Sequence, residues 1–510
     1  MARRRPVIHL ILPRADVNGL HHVLAHRFVP LQLMTVGALC RREGWDARII
    51  DENYDPLPDE RPDLVGITVW TMFAPRAFRI ADRYRAAGVP VVLGGVHASL
   101  VPGEALRHAD AVVVGEAETV MGRVLADTEA GCLRGIYRGE WDDISRAPTI
   151  DEMGEFYDRF PTWRYWPQYS IQSTRGCRFN CDYCSVIRIN GRGQRHRDPN
   201  QVVAEVARRM ERTKLTAGLF FTDDDFGSDL EYTYELLGAL ADARLKVKWT
   251  AQLSIGIARH EELLALARRA GCAVLFLGLE SMTRDSLVEA NKKNRPNEYA
   301  ELVGRIHEAG IATEGAFIFG FDHDDRSVFE RTVEFADELG IDLALFNVLT
   351  PAPGTATFAR YWDEGRIVDF DWSHYTGYQA VFEPANMSRA ELEGGLRRAY
   401  RDFYSRGRRL RRFRRHLRQL APDMAVVLAG INWSFAREFK SIRRQPEPPY
   451  SPPLIELERL AAASRVEANR AIWFAADQAD GLFETAPSRA TPVVIDQSRR
   501  TGVKGFREKA

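Results

Sequence analysis

Short runs rich in β-branched residues recur between residues 7 and 347, and the stretches between them carry apolar residues at helical spacing. The first block reads Val7–Leu12, Ala47–Asp51, Leu64–Val69, Val91–Leu93 and Ala111–Val114, with helical patterns over Leu31–Glu43 and Arg76–Ala87. The second reads Ser170–Thr174, Leu219–Thr222, Lys248–Gln252, Val274–Leu279, Thr313–Ile318 and Leu343–Asn347, with helical patterns over Val202–Met210, Glu261–Ala270 and Val328–Leu339. Strands alternating with helices predict parallel sheets with crossover helices, an α/β chain. Six strand–helix units in the second block predict a partial barrel, six units in place of eight. The expected organisation is a first domain over 1–145, a linker over 146–165, a barrel over 166–385 and a helical extension with a loose end over 386–510.

In such sheets ligands gather at the carboxyl ends of the strands, so the residues there are the first candidates. In the first block these are Thr68, Trp70, Thr71, Gly94, Gly95, His97, Gly115 and Glu116. Paired glycines after a strand let backbone approach a ligand closely, or simply permit a turn. In the second block they are Asp223-Asp224-Asp225, Gln252, Ser254, Glu280, Phe319 and Gly320. Three adjacent carboxylates can form a divalent-metal site, cap the helix before Leu230, or receive a cationic amine. Glu280 ends an apolar run and needs a partner, either a barrel lysine or arginine or a ligand.

Half of the six cysteines fall in one loop, Cys177-Arg-Phe-Asn-Cys181-Asp-Tyr183-Cys184. Thiolates at C-x3-C-x2-C spacing can converge on one soft metal centre, an iron–sulfur cluster or zinc. A structural zinc site wants four ligands, whereas three leave a position open for chemistry. A zinc loop and a chance clustering of buried cysteines are the other readings of the same spacing.

With its aromatic residue ahead of the third cysteine, this loop resembles the signature of radical S-adenosylmethionine (radical SAM) enzymes. The resemblance implies that Cys177, Cys181 and Cys184 bind three irons of a 4Fe-4S cluster, the fourth being chelated by S-adenosylmethionine. It further implies that Tyr183, Asp223 or Asp224, Gln252, Ser254, Glu280, Phe319 and Gly320 contact that cofactor, with Asp225 left to cap a helix. Residues 92–98 and 110–118 (Val-Leu-Gly-Gly-Val-His-Ala and Asp-Ala-Val-Val-Val-Gly-Glu-Ala-Glu) resemble the Rossmann-like, flavodoxin-like cobalamin-binding domain fused to many such enzymes. Cobalamin contacts are then expected from Thr68, Trp70, Thr71, Gly94, Gly95, His97, Gly115 and Glu116. Asn18 stands where that domain's best-known motif has its cobalt-ligating histidine, so no histidine from this loop is expected on cobalt. His21 and His97 read as polar loop residues.

The function implied is methyl transfer from methylcobalamin to an unactivated carbon through a 5'-deoxyadenosyl radical. A cyclase, rearrangement or oxidation enzyme of the same architecture is the alternative, followed by a cobalamin-binding module with an inactive barrel. A small-molecule or biosynthetic-intermediate substrate and a flavodoxin- or ferredoxin-type electron donor are the expected partners.

Lys+Arg and Asp+Glu both total 70, so no global field favours nucleic acid. Scattered remaining cysteines (Cys40, Cys132, Cys272) argue for a reducing compartment. No window approaches the ~18 apolar residues of a membrane span, and a cytoplasmic location is expected. After Asn386 a long helix is predicted, with Leu396, Tyr400, Phe403, Leu410, Phe413 and Leu417 on one apolar face and a run of arginines opposite. Such a run can meet an anionic membrane surface, but it is read here as a solvated face paired with acidic neighbours. The aromatics between 156 and 166 are expected to wall the boundary between the two blocks.

Overall fold

Both blocks form wholly parallel six-stranded sheets in the computed structural model, which describes residues 4–14, 28–141, 143–160, 169–211, 218–438 and 451–465. The first sheet contains β1 (Val7–Leu12), β2 (Asp46–Asp51), β3 (Leu64–Thr68), β4 (Val91–Gly94), β5 (Ala111–Val114) and β6 (Gly135–Arg138). Its order is β2-β1-β3-β4-β5-β6, the doubly wound arrangement with a switch point beside β1. All residues of β3 and β5 are buried, as expected where helices cover both faces. The edge strand β6 was not foreseen, because Gly-Ile-Tyr-Arg carries no apolar run.

The second sheet contains β7 (Tyr169–Ile171), β10 (Gly218–Phe221), β11 (Lys248–Leu253), β12 (Cys272–Glu280), β13 (Ala312–Phe319) and β14 (Leu343–Val348). It runs in sequence order from β7 to β14 and stays open between those two edges, a partial barrel. Between β7 and β10 a short antiparallel ribbon, β8 (Thr174–Arg175) with β9 (Arg195–His196), brackets the cysteine loop.

The expected single tail helix is three: Arg389–Phe403, Arg406–Gln419 and Pro422–Glu438. Ser388 and Glu391 form a capping box at the first. From it Tyr400 and Tyr404 reach the edge strand β14. Each hydroxyl donates to and accepts from one backbone unit, Phe346 at 2.8 Å and Ala344 at 2.9 Å. An edge strand's free polar groups are thereby satisfied without a seventh strand.

The apolar face does not continue along the second helix. Leu410 and Leu417 are exposed, while Arg412 is buried with its guanidinium 3.9 Å from the ring centre of Phe403. Arg408 and Arg411 pair with Asp337, and Arg415 pairs with Asp342, as the reading of a face matched to acidic neighbours expects. The third helix closes the barrel from below: Leu428 packs on Ala312 and Leu343, the first residues of β13 and β14. No helix among the described residues is long and apolar enough to cross a membrane.

The two sheets are joined by buried contacts. Glu104 accepts from Trp372 Nε1 at 3.0 Å and meets His97 Nε2 at 3.1 Å, with all three side chains inaccessible. In the segment between the sheets, Phe156 and Tyr157 are buried in a short helix, Gly154–Arg159, and Tyr157 donates to the Ser170 carbonyl on β7. Trp163, Tyr165 and Trp166 lie outside the described residues.

Candidate active site

The cysteine loop begins at Gly176, whose φ of +98° is open to glycine alone; a Cβ there would stand 2.2 Å from the Gly193 carbonyl oxygen. Cys177 bridges to Arg192, and Cys184 N–H returns to the Cys181 carbonyl at 3.1 Å, a tight turn. Burial pushes the Cys177 and Cys184 thiols up to about 12. They are therefore protonated when no metal is bound, and metal binding must release those protons. Among the described residues no three His, Cys, Asp or Glu side chains are gathered tightly enough for a single ion. A cubane offers separate corners, so its thiolates need to share a loop rather than a point.

The three aspartates after β10 point three ways. Asp223 is fully buried and accepts from Ser173 N–H (2.8 Å), Thr174 N–H (3.1 Å), Thr174 Oγ1 (2.9 Å) and the Ser173 hydroxyl. Four donors occupy its carboxylate, which burial nevertheless raises to about 6. Asp223 thus builds the β7 end and does not reach the cavity. Asp224 does line the cavity, and accepts from Gly176 N–H at 2.7 Å and Asn190 Nδ2 at 3.0 Å. Asp225 caps no helix: it receives Ser254 N–H at 2.8 Å and the Ser254 hydroxyl at 3.2 Å, while Asp229 caps the next helix. Ser254 is engaged by that bond and is not part of the cavity wall, whereas Gln252 is, its amide donating to the Asp223 carbonyl at 3.0 Å.

Glu280 stands at the end of β12 with φ of +66°, a left-handed conformation that costs a non-glycine residue ~1–3 kcal/mol. Its carboxylate meets Lys292 Nζ at 3.3 Å, the lysine partner its apolar approach required. Burial opposes a charge on Lys292, but Glu280 outweighs it and raises the ammonium's pKa. Tyr183 hydrogen-bonds Glu280 and interacts with Cys181, so these residues form one cluster beside the thiols.

Phe319 and Gly320 lie elsewhere. Phe319 is buried between Phe329 (4.9 Å) and Phe346 (5.7 Å), and a Cβ on Gly320 would come within 2.9 Å of Leu392. Phe319 packs within the barrel and Gly320 against the tail helix, and neither lines the cavity.

The first sheet's candidates divide likewise. Thr68, Trp70, Gly94, Gly95, Gly115 and Glu116 line the cavity. Gly95 has φ of +92°, and a Cβ there would sit 2.9 Å from Thr68 Oγ1. Thr71 opens a 3-10 turn and is not in the wall, and His97 is spent on Glu104. Glu116, although in the wall, is ion-paired with Arg175 at 3.0 Å and Arg195 at 2.9 Å. Asn18 and His21 lie outside the described residues.

Asp224 and Gln252 share one cavity of about 1150 Å³ with Thr68, Trp70, Gly94, Gly95, Gly115 and Glu116 of the first sheet, while the three cysteines, Tyr183 and Glu280 lie outside its wall. The cavity runs from Gly95 and Gly115, past Arg175 and Asp224, down the barrel to Glu314 and to Leu428 of the floor helix. Sequence reasoning missed Arg175, Arg195, Lys292 and Glu314. For Glu314 a signal existed: one carboxylate in the apolar strand Ala-Thr-Glu-Gly-Ala-Phe-Ile-Phe.

Residues 171–336 match the Radical SAM superfamily and residues 18–125 the B12 binding domain. The chain is 32% identical over 381 residues to bacteriochlorophyllide d C-12(1)-methyltransferase of Chlorobaculum tepidum, covering 74% of this chain and 82% of that one. It is 28% identical to anaerobic magnesium-protoporphyrin IX monomethyl ester cyclase of Cereibacter sphaeroides, covering 72% and 65%. Among solved structures, the radical S-adenosylmethionine methyltransferase TsrM from Kitasatospora setae, with cobalamin and a [4Fe-4S] cluster bound, superposes with a TM-score of 0.58 at 17% identity, covering 72% and 79%. The donor set, the glycine-lined strand ends and the shared cavity fit the groups these families carry. The chain belongs to the radical SAM superfamily, among those members that carry a B12-binding domain, and is an enzyme dependent on an iron–sulfur cluster, S-adenosylmethionine and cobalamin.

Proposed function

We infer that the enzyme is a C-methyltransferase that methylates an unactivated carbon of a small, largely apolar molecule. One observation carries the reading: a single cavity joins the strand-end glycines of the first sheet to Asp224 and Gln252 of the barrel. Bound together, the cofactors supply a hydrogen-abstracting 5'-deoxyadenosyl radical and a methyl donor.

The chain's own residues hold and shield them. Cys177, Cys181 and Cys184 bind the cluster, while Asp224, Gln252 and the Tyr183–Glu280–Lys292 group receive the polar parts of S-adenosylmethionine. Gly94, Gly95 and Gly115 let backbone approach cobalamin, with Thr68 and Trp70 beside it. The apolar barrel wall and the floor helix keep water from a radical. A flavodoxin- or ferredoxin-type donor in a reducing cytoplasm supplies the electron.

The test is anaerobic reconstitution with candidate substrates and mass analysis of the product. A gain of one methylene unit supports methyl transfer; an unchanged or oxidised skeleton selects cyclase chemistry, the activity named for the Cereibacter relative. Replacing all three loop cysteines by alanine should abolish both iron binding and 5'-deoxyadenosine formation, and retention of either refutes the site.

A further inference from the structure

Two polar side chains inside the barrel are left without partners. Ser170, on β7, is 2% exposed, lines the cavity, and its hydroxyl has no hydrogen-bond partner among the described residues. Glu314, on β13, lines the same cavity and makes no hydrogen bond or ion pair among the described residues. Ser170 shares a register row with Phe220, Thr250, Val274 and Ala312, and Glu314 is two residues along the strand from Ala312, on the same inward face. Phe276 and Leu343 flank Glu314 in its own row.

Buried polar groups are as a rule hydrogen-bonded, and each exception calls for an explanation. Leaving a carboxyl and a hydroxyl unsatisfied against a largely apolar lumen is unfavourable unless a ligand completes them. Packing does not require them, because valine or leucine would fill either position. The half-buried carboxyl faces the cavity, and its desolvation lifts its pKa to about 7. An ionised carboxylate there repels an anion; a protonated or hydrogen-bonded one suits a group that both donates and accepts. Lys248, also in the wall, makes no ion pair among the described residues and stands two positions before Thr250 on β11.

We propose that Glu314 and Ser170 form a recognition site within the barrel for an uncharged hydroxyl-bearing end of the substrate, whose apolar body lies along Phe220, Phe276 and Leu345. The proposal deepens the methyl-transfer reading by naming a substrate class, and rests on that reading only for the word substrate. The site itself is a binding site that can be measured without turnover.

The experiment uses anaerobically reconstituted full-length enzyme and three probes of one chain length: octan-1-ol, octylamine and octanoate, titrated by calorimetry. Octan-1-ol is expected to bind at least about tenfold more tightly than octanoate. Glu314→Leu should weaken octan-1-ol by about tenfold, Ser170→Ala by about threefold, and Glu314→Gln should stay within about threefold of the wild type. Thermal unfolding of each variant verifies folding, and Ser170→Ala tests the site independently of the carboxyl. Unchanged octan-1-ol affinity in both Glu314→Leu and Ser170→Ala overturns the proposal. So does octanoate binding as tightly as octan-1-ol, which assigns the head group to Lys248. So does octylamine binding best and being lost in Glu314→Gln, which makes the site an ion-pairing one. Failure of methyl transfer with octan-1-ol binding intact would sink the functional reading and leave this site standing.

Discussion

The guanidinium of Arg175 lies 3.0 Å from the carboxylate of Glu116 and 2.9 Å from that of Glu118. Arg175 ends the ribbon strand two residues before the first loop cysteine, and Glu116 follows β5, so one buried ion-pair group locks the cluster loop to the first sheet. Glu116→Ala would leave Arg175 to Glu118 alone and take from Arg195 its ion pair with Glu116 in a largely desolvated place. Removing one partner of a buried pair costs ~3–5 kcal/mol, so chemical unfolding should show a loss of about that size. Arg175→Ala combined with Glu116→Ala should cost clearly less than the sum of the single losses.

Gly176→Ala tests the loop itself. A methyl group 2.2 Å from the Gly193 carbonyl oxygen, on a backbone at φ of +98°, forces the turn to move. The expected result is anaerobically reconstituted protein with well under half the wild-type iron content and with its circular dichroism largely unchanged.

Acid sensitivity should concentrate at Asp342, at the start of β14. Burial would raise its carboxyl, but hydrogen bonds from His307 and His416 and the charge of Arg415 hold it well below the usual carboxylate range. A depressed folded pKa contributes stability above the unfolded value, ~3.9, and that stability is lost as pH falls below it. Asp342→Asn should therefore be less stable at neutral pH, by ~3 kcal/mol, and its stability should fall less steeply below about pH 4. Urea midpoints between pH 3 and 7 would measure both.

Glu314 predicts the opposite sign. Its pKa rises to about 7 when folded, against ~4.3 unfolded, so its contribution becomes unfavourable as pH rises between those values. Glu314→Gln should match the wild type near about pH 4 and exceed its stability at about pH 8 by roughly 1–3 kcal/mol. Equal stability of the two at both pH values would refute the desolvated carboxyl.

Trp372→Phe removes the indole donor to Glu104, buried at the contact between the sheets. A carboxylate losing a buried donor should cost ~1–3 kcal/mol, read as a lower thermal midpoint with the loop's iron content unchanged.

Strands were legible because a parallel strand covered on both faces must be continuously apolar: Ala111–Val114 appears with the same ends in pattern and structure. Exceptions follow from the same physics. The edge strand β6 needs no apolar run, and Leu410 and Leu417 keep helical spacing although none of the described residues covers them. At the site, spacing identified the cysteine loop but could not say which of three adjacent aspartates faces inward. That depends on Ser173, Thr174, Gly176 and Ser254, which donate from different parts of the chain. The same holds for His97, whose partners Glu104 and Trp372 are 268 residues apart in sequence.

The helix that floors the barrel is among the last described pieces of the chain to be synthesised, beginning at Pro422. A growing polypeptide that has completed β14 already carries all three loop cysteines yet still has a hole at the bottom of its reaction vessel. Productive use of a radical is thereby tied to completion of this helix, and a truncation just ahead of Pro422 should yield an enzyme that takes up iron but squanders its radicals on solvent.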